Sequence, residues 1–337
     1  MTGPELLAIA PFGATVGLAI LLVIVDLIRP GADRAIGIVA TAGLLGVAAL
    51  TLYAGAPGTT VFGGAYVRDA LTYFLDLLFL VIALLTVLFA PDYLRPRHLP
   101  MAEFSTTLLF AISGAMLIDG SRDLLVLFLG LELLVLPGYL LAGYAKRDGL
   151  STEGAIKYFL LGSFSSAIFL FGLAFTWGYT GTTRIAEVGS VMASQAGLTL
   201  SAGLAMGLAL LTAGVAFKIA AVPFHYWTPD AYQGSPTPVT GYLSVGPKVA
   251  AFALILRLFV EALGPLKADW VFAIVVLAAL TMTLGNLVAL TQDNIKRMLA
   301  YSSIAHTGYI LVGLAAFAGA AAGSPAERAG LEGLLFY

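Results

Sequence analysis

The chain of 337 residues contains no cysteine. Disulfides, thiolate ligation of iron–sulfur clusters and thiol catalysis are therefore excluded within it. Its redox compartment stays open, because there is nothing to oxidise. Charge is the second scarcity. Asp, Glu, Lys and Arg make up 11% of the residues and hydrophobic types 60%, whereas a soluble domain carries about 25% charged residues. A chain this long could bury a soluble core, but too little charge remains to make a solvated skin around it. The formal net charge of −2 gives no reason to expect nucleic acid or an acidic polymer as partner. There is no Walker A motif, Rossmann fingerprint or metal-ligand cluster. The start, MTGPELLAIAPF, has no basic n-region and no small-residue cleavage site. Leu6–Ile28 therefore reads as a retained span, not a signal peptide.

What the chain does have is long apolar runs. About 20 apolar residues cross a hydrocarbon core, and ten segments qualify: Leu6–Ile28, Ala35–Ala54, Ala70–Ala90, Met101–Ile118, Leu124–Tyr144, Ala155–Gly178, Leu198–Val222, Val239–Leu263, Trp270–Thr291 and Leu299–Ala322. The loops between them are brief, and none could hold a soluble domain. Strands are not indicated, because the runs lack the alternation of a membrane barrel. Helices satisfy their own backbone, as lipid demands. The expected fold is all-α, a polytopic transmembrane helix bundle in a lipid bilayer. Loops after odd-numbered segments carry Arg29, Arg34, Arg95, Arg97, Lys146, Arg147, Lys296 and Arg297. Those after even-numbered segments carry Arg68, Arg122, Arg184, Lys267 and Arg328. The bias predicts an N-terminus on the outside. The last residues, Gly330 to Tyr337, read as the opening of an eleventh helix, so a longer protein is expected.

Several ionisable side chains fall inside the apolar segments. Lys157, Lys218 and Lys248 do so, and Glu132 lies two residues from the middle of the fifth segment, about 3 Å from mid-bilayer. A charge there costs about 2.5–3.5 kcal/mol on insertion scales and is tolerated where it faces a bundle interior, a partner or water. An amine carried in an apolar span changes its proton occupancy when a carboxylate moves toward or away from it. That is the minimum equipment of a proton relay. The competing interpretation is a structural ion pair between helices. Lys157 is close to the preceding loop, where its stem could snorkel. Asp26 and Asp76 lie nearer segment ends and read as interfacial, and Arg257 reads as a snorkelling side chain.

The stretch AGVAFKIAAVPFHYWTPDAYQGSPTPVTGYLSVGPKVAAFALILR is the most informative. Pro223, Pro229, Pro236 and Pro238 cannot sit in an undisturbed helix, because proline lacks the N–H and clashes with the preceding turn. Lys218 precedes Pro223 by five residues, and Lys248 follows Pro247 directly. Helix breaks at membrane depth free backbone groups and tend to line cavities. Pro137, five residues after Glu132, suggests a similar distortion. Of the histidines, His98 belongs to a basic loop, and His225 follows the break near the membrane edge. His306 sits in YSSIAHTGYILVG with Ser302, Ser303 and Thr307 close by. Imidazole titrates near neutrality and can relay protons, although a packed, satisfied histidine fits His306 almost as well.

The run AFKIAAVPFHYWTPDAYQGSPTPVTGYLSVGPKVAAF resembles the signature of the antiporter-like membrane subunits of respiratory complex I, closest to their subunit N branch. GLELLVLPGYLLAGY and NIKRMLAYSSIAHTGYILVG resemble further segments of that family. The likeness is good from about Gly130 to Gly313, and the first three segments fit in hydropathy only. It implies a fold of about fourteen helices containing two inverted five-helix repeats, each with a broken helix. On that pattern residues 1–100 are an N-terminal three-helix region, 101–263 the first antiporter-like repeat, and 264–337 the start of a truncated second, inverted repeat. By the resemblance Glu132, Lys218 and Lys248 are relay groups, and His306 a polar position between half-channels; Lys157 is a weaker candidate. The resemblance also implies a proton-translocating subunit of NADH:quinone oxidoreductase in a bacterial inner membrane. Its partners would be other membrane-arm subunits. No cofactor is expected in this chain, with flavin mononucleotide, iron–sulfur clusters and quinone in partner subunits. A subunit of a multi-subunit cation/proton antiporter is the alternative on the same fold, and a structural membrane scaffold is a third.

Overall fold

The computed structural model describes residues 2–194 and 196–337. Among them are thirteen α-helices. Nine helices are long and apolar enough to cross a membrane, and Ala202–Lys218 is a shorter apolar helix. Each of the ten apolar segments is thus helical, the seventh only in part.

The chain divides into two compact units, residues 1–159 with 234–254, and residues 160–233 with 255–337. The first unit begins with α1 (Gly3–Ile28), α2 (Asp33–Ala54), α3 (Ala70–Leu94), α4 (Met101–Asp119) and α5 (Leu124–Ala142). Here α4 is the centre, packed against α1, α3 and α5. It meets α5 through small residues: a Cβ on Gly114 would lie 2.3 Å from the Leu134 amide nitrogen, and one on Gly130 3.0 Å from Ile118. Lipid tails give helices no hydrophobic drive to associate, so close backbone approach at small residues supplies the contact instead. Apolar side chains accordingly face outward as well as inward: Leu27 and Phe89 are 79% and 68% exposed.

Strands were not expected, yet the loop after α2 holds a short antiparallel hairpin, β1 (Thr59–Val61) paired with β2 (Tyr66–Arg68). The turn before α5 extends it, through Val67 N–H to Gly120 O (2.8 Å) and Arg122 N–H to Ala65 O (2.8 Å). A Cβ on Gly120 would fall 2.1 Å from the Tyr66 ring, so glycine is required there. The hairpin escaped sequence inspection because three-residue strands are too short to show period-2 alternation.

The long helix α6 (Gly149–Thr180) belongs to both units in turn, as does α10 (Thr237–Ile255). The second unit also contains α7 (Ile185–Ala193), α8 (Ala202–Lys218), α9 (Trp227–Gly234), α11 (Lys267–Ala289), α12 (Ile295–Gly319) and α13 (Pro325–Phe336). A π-helical segment, Leu256–Ala262, continues α10. Gly285 and Gly308 let α11 and α12 pack closely: added Cβ atoms would sit 2.7 Å from the Ala305 nitrogen and 2.6 Å from Met282. Asn294 caps α12 by accepting from the amides of Lys296 and Arg297, as Asp123 caps α5.

Candidate functional site

In the first unit Glu132 occupies the middle of α5. Its Oε1 is buried and has no hydrogen-bond partner among the described residues. Five residues later Pro137 lies inside the helix, where it cannot donate to the carbonyl one turn back. Lys248 is buried in α10, directly after Pro247, which also lies within its helix. Lys157, near the start of α6, is partly exposed. Its ammonium pairs with Glu153 one turn earlier at 2.6 Å, with the two side chains 43% and 57% exposed.

In the second unit Lys218 is the last residue of α8 and is buried. A cation in the last turn of a helix meets the negative end of its dipole. The ammonium donates to Ser166 Oγ of α6 at 2.9 Å. Beyond Lys218 the chain leaves the helical path, and Ala220 takes φ 57°, the left-handed region that L-residues avoid. The seventh apolar segment was expected to continue to Val222; it stops at 218 because the backbone turns here. The groups freed by the break are satisfied from other elements. Trp227 Nε1–H donates to Phe217 O at 3.2 Å, and Thr307 Oγ1–H of α12 to Ile219 O at 2.9 Å. Val222 N–H donates to Thr281 Oγ1 of α11 at 2.9 Å. Backbone bonds from Ala221 to Ala216 O and from Phe224 to Ala221 O complete the turn. An irregular backbone inside a bilayer persists only where its polar groups find such partners.

His225, expected at the membrane edge, is buried, at 3% exposure. His306 is exposed on α12, with Nδ1 2.5 Å from Tyr337 Oη and its ring stacked on that tyrosine. The imidazole and Thr307 are neighbours in sequence but point to different surroundings, because successive helical residues are about 100° apart. Arg257, expected to snorkel, is 1% exposed and pairs with Glu261 at 2.7 Å within the π-helical segment. At the entry to α12, Arg297 pairs with Asp230 of α9 at 2.5 Å and donates to Gln233 at 3.0 Å.

One charged cluster lay outside the sequence expectations. Asp76 was expected at an interface and is instead 1% exposed inside the first unit, paired at 2.7 Å with Arg68, which is 0% exposed. Arg68 also donates to Gly55 O at 2.8 Å and Thr51 O at 3.2 Å, the carbonyls that end α2. The Asp119 side chain adjoins Asp76. In the sequence Arg68 stands only among the cations of the loop after the second segment, and the hairpin folds that loop inward.

A family model described as NADH:quinone oxidoreductase/Mrp antiporter, TM, matches residues 121–326, the stretch carrying Glu132, Lys157, Lys218, Lys248 and His306. The chain belongs to that family. Within the NADH:quinone oxidoreductase/Mrp antiporter family it is 45% identical to NADH-quinone oxidoreductase subunit N of Moorella thermoacetica, over 94% of this chain and 66% of the relative. A chain of respiratory complex I from Thermus thermophilus superposes with TM-score 0.75 at 34% identity, covering 90% of this chain and 64% of that one. A chain of the Mrp complex from a Dietzia species shares the fold, with TM-score 0.78 at 23% identity over 99% of this chain and 62% of that one. The chain thus spans a little under two thirds of the length of these relatives.

Proposed function

We propose that this chain is a proton-translocating membrane-arm subunit of a redox-driven NADH:quinone oxidoreductase. The observation that carries the proposal is Lys218, a buried ammonium at the end of α8 beside a helix break, hydrogen-bonded to Ser166. An amine in that position exchanges a proton through hydroxyl groups and water without moving its backbone, and its occupancy responds to any shift of charge nearby. Glu132 and Lys248 are the other intramembrane members of the relay, each with a proline in its helix. His306, by the resemblance a polar position between half-channels, and Lys157 are the relay's weaker members. Supporting this choice of complex is the name of the Moorella relative, at 45% identity. Electron transfer, with its flavin, iron–sulfur clusters and quinone, is assigned to partner subunits. The chain is placed in a bacterial inner membrane with its N-terminus outside.

The test is Lys218→Ala in the assembled complex carrying the full-length chain. NADH:quinone electron transfer should continue in an intact complex while proton pumping falls. Normal pumping would remove Lys218 from the relay. The likeness to the Mrp chain keeps a cation/proton antiporter subunit as the second reading. Co-purifying chains separate the two: NADH dehydrogenase modules belong with the first, and small antiporter subunits with the second.

A further inference from the structure

We propose that Thr307 and Thr281 are positioning residues that hold the α8 break, and with it Lys218, in the geometry that places its ammonium on Ser166. The proposal rests on the relay role of Lys218. Past Lys218 the helix no longer supplies partners for the Ile219 carbonyl and the Val222 amide. Each instead takes a hydroxyl from a different helix, Thr307 of α12 on Ile219 O and Thr281 of α11 on Val222 N, both at 2.9 Å. Both threonines are buried, at 1% and 0% exposure. Each hydroxyl also donates or can donate within its own helix, Thr307 to Ser303 O at 3.2 Å and Thr281 to Leu277 O at 2.5 Å. The two groups on the break bracket Ala220, whose φ of 57° is a conformation L-residues resist. A strained residue of that kind persists only where its surroundings over-determine it, and here the over-determination comes from α11 and α12, which pack on each other.

The chemistry of the two bonds differs in a useful way. Thr307 gives a proton to a carbonyl, and Thr281 receives one from an amide. Valine is close in shape to threonine and can do neither, whereas serine can do both. A shift of α11 or α12 would pull on opposite sides of Ala220 and swing the end of α8, so the two hydroxyls are the route by which these helices can set the distance from Lys218 to Ser166.

The experiment uses the intact complex with full-length chains bearing Thr307→Val, Thr307→Ser, Thr281→Val, Thr281→Ser or Lys218→Ala. It reads assembled complex, NADH oxidation and protons moved per electron. Thr307→Val should lower protons per electron about fivefold, the population change expected when one buried hydrogen bond is lost, with NADH oxidation retained and Thr307→Ser near the parent. Parental pumping in the valine variants overturns the positioning role, and so does an equal loss in valine and serine variants, which would point to methyl packing. If Thr307→Val does not assemble, Thr281→Val is judged by the same criteria. If both valine variants fail to assemble while both serine variants do, the threonines serve folding alone and the proposal is wrong. Lys218→Ala separates the two ideas. Unchanged pumping there defeats the relay reading itself, while lost pumping in Lys218→Ala beside normal valine variants defeats only the positioning.

Discussion

An arginine with no exposed surface survives only if its charge is matched and its N–H groups are occupied, and Arg68 meets both conditions. Its guanidinium reaches Asp76 and the two carbonyls that end α2. Removing one member of such a pair leaves the other charge buried and uncompensated, which costs about 3–5 kcal/mol, whereas replacing both by apolar groups is often nearly neutral. Arg68→Met should therefore lower the thermal stability of the purified protein sharply, and Arg68→Met with Asp76→Leu should recover most of the loss. Equal melting temperatures for Arg68→Met and the parent would show that the pair carries no stability. Glu132, Lys218 and Lys248 are legible as charges within apolar runs, because hydropathy is a local property. Asp76, Arg257 and His225 are more buried than their sequence positions suggest, because burial there depends on what folds over the residue. Ser166 had a visible signal in the polar run Ser163–Phe164–Ser165–Ser166, which is unusual inside an apolar segment.

Helices in this chain start and stop for local reasons at most ends and for tertiary reasons at a few. Asp69, Asp123, Ser201, Asn294 and Ser324 each cap the helix that follows, and such residues are readable as start signals. The end of α8 at Lys218 is different: it depends on hydroxyls from α11 and α12. The start of α13 is tied to the start of α11 by Lys267, which meets Glu327 at 2.6 Å and also donates to Ala320 O at 2.9 Å. The hydrogen bond from Lys267, with one from the Gly323 amide, holds the Glu327 carboxyl below the usual carboxylate range. A carboxyl depressed by folding contributes stability that is complete above its unfolded value, about 4.3, and is lost as pH falls through its lower folded value. Amide exchange in α13, corrected for the intrinsic rate, should therefore accelerate as pH drops below about 4. In Lys267→Met that acid-dependent step should shrink. An identical pH response in parent and variant would show that the pair does not anchor α13. The pair is part-exposed, so salt should weaken it.

For the whole molecule the scarcity of charge and the abundance of apolar helices point the same way. The absence of cysteine makes the proposed orientation directly testable, since any introduced thiol is the chain's own label. Arg147 and Arg184 are both exposed, on loops that follow the fifth and sixth apolar segments. With the N-terminus outside, Arg147→Cys should react with a membrane-impermeant maleimide only from the cytoplasmic side, and Arg184→Cys only from the external side. The reverse pattern would invert the orientation, and labelling of both from one side would refute a membrane crossing by α6.

Composition and hydropathy alone determined that this chain is an all-α membrane protein with a few charges held inside apolar helices, and the motifs after Lys218 led to its family. Those properties are local, since a helix satisfies its own backbone and its apolarity is written in consecutive residues. Tertiary structure decided which polar groups meet. Lys218 and Ser166 are 52 residues apart in sequence, Val222 and Thr281 59, and Thr307 and Ile219 88. No periodicity carries information over such distances. The break in α8 is announced by its prolines, but its geometry belongs to the helices that supply the missing hydrogen bonds.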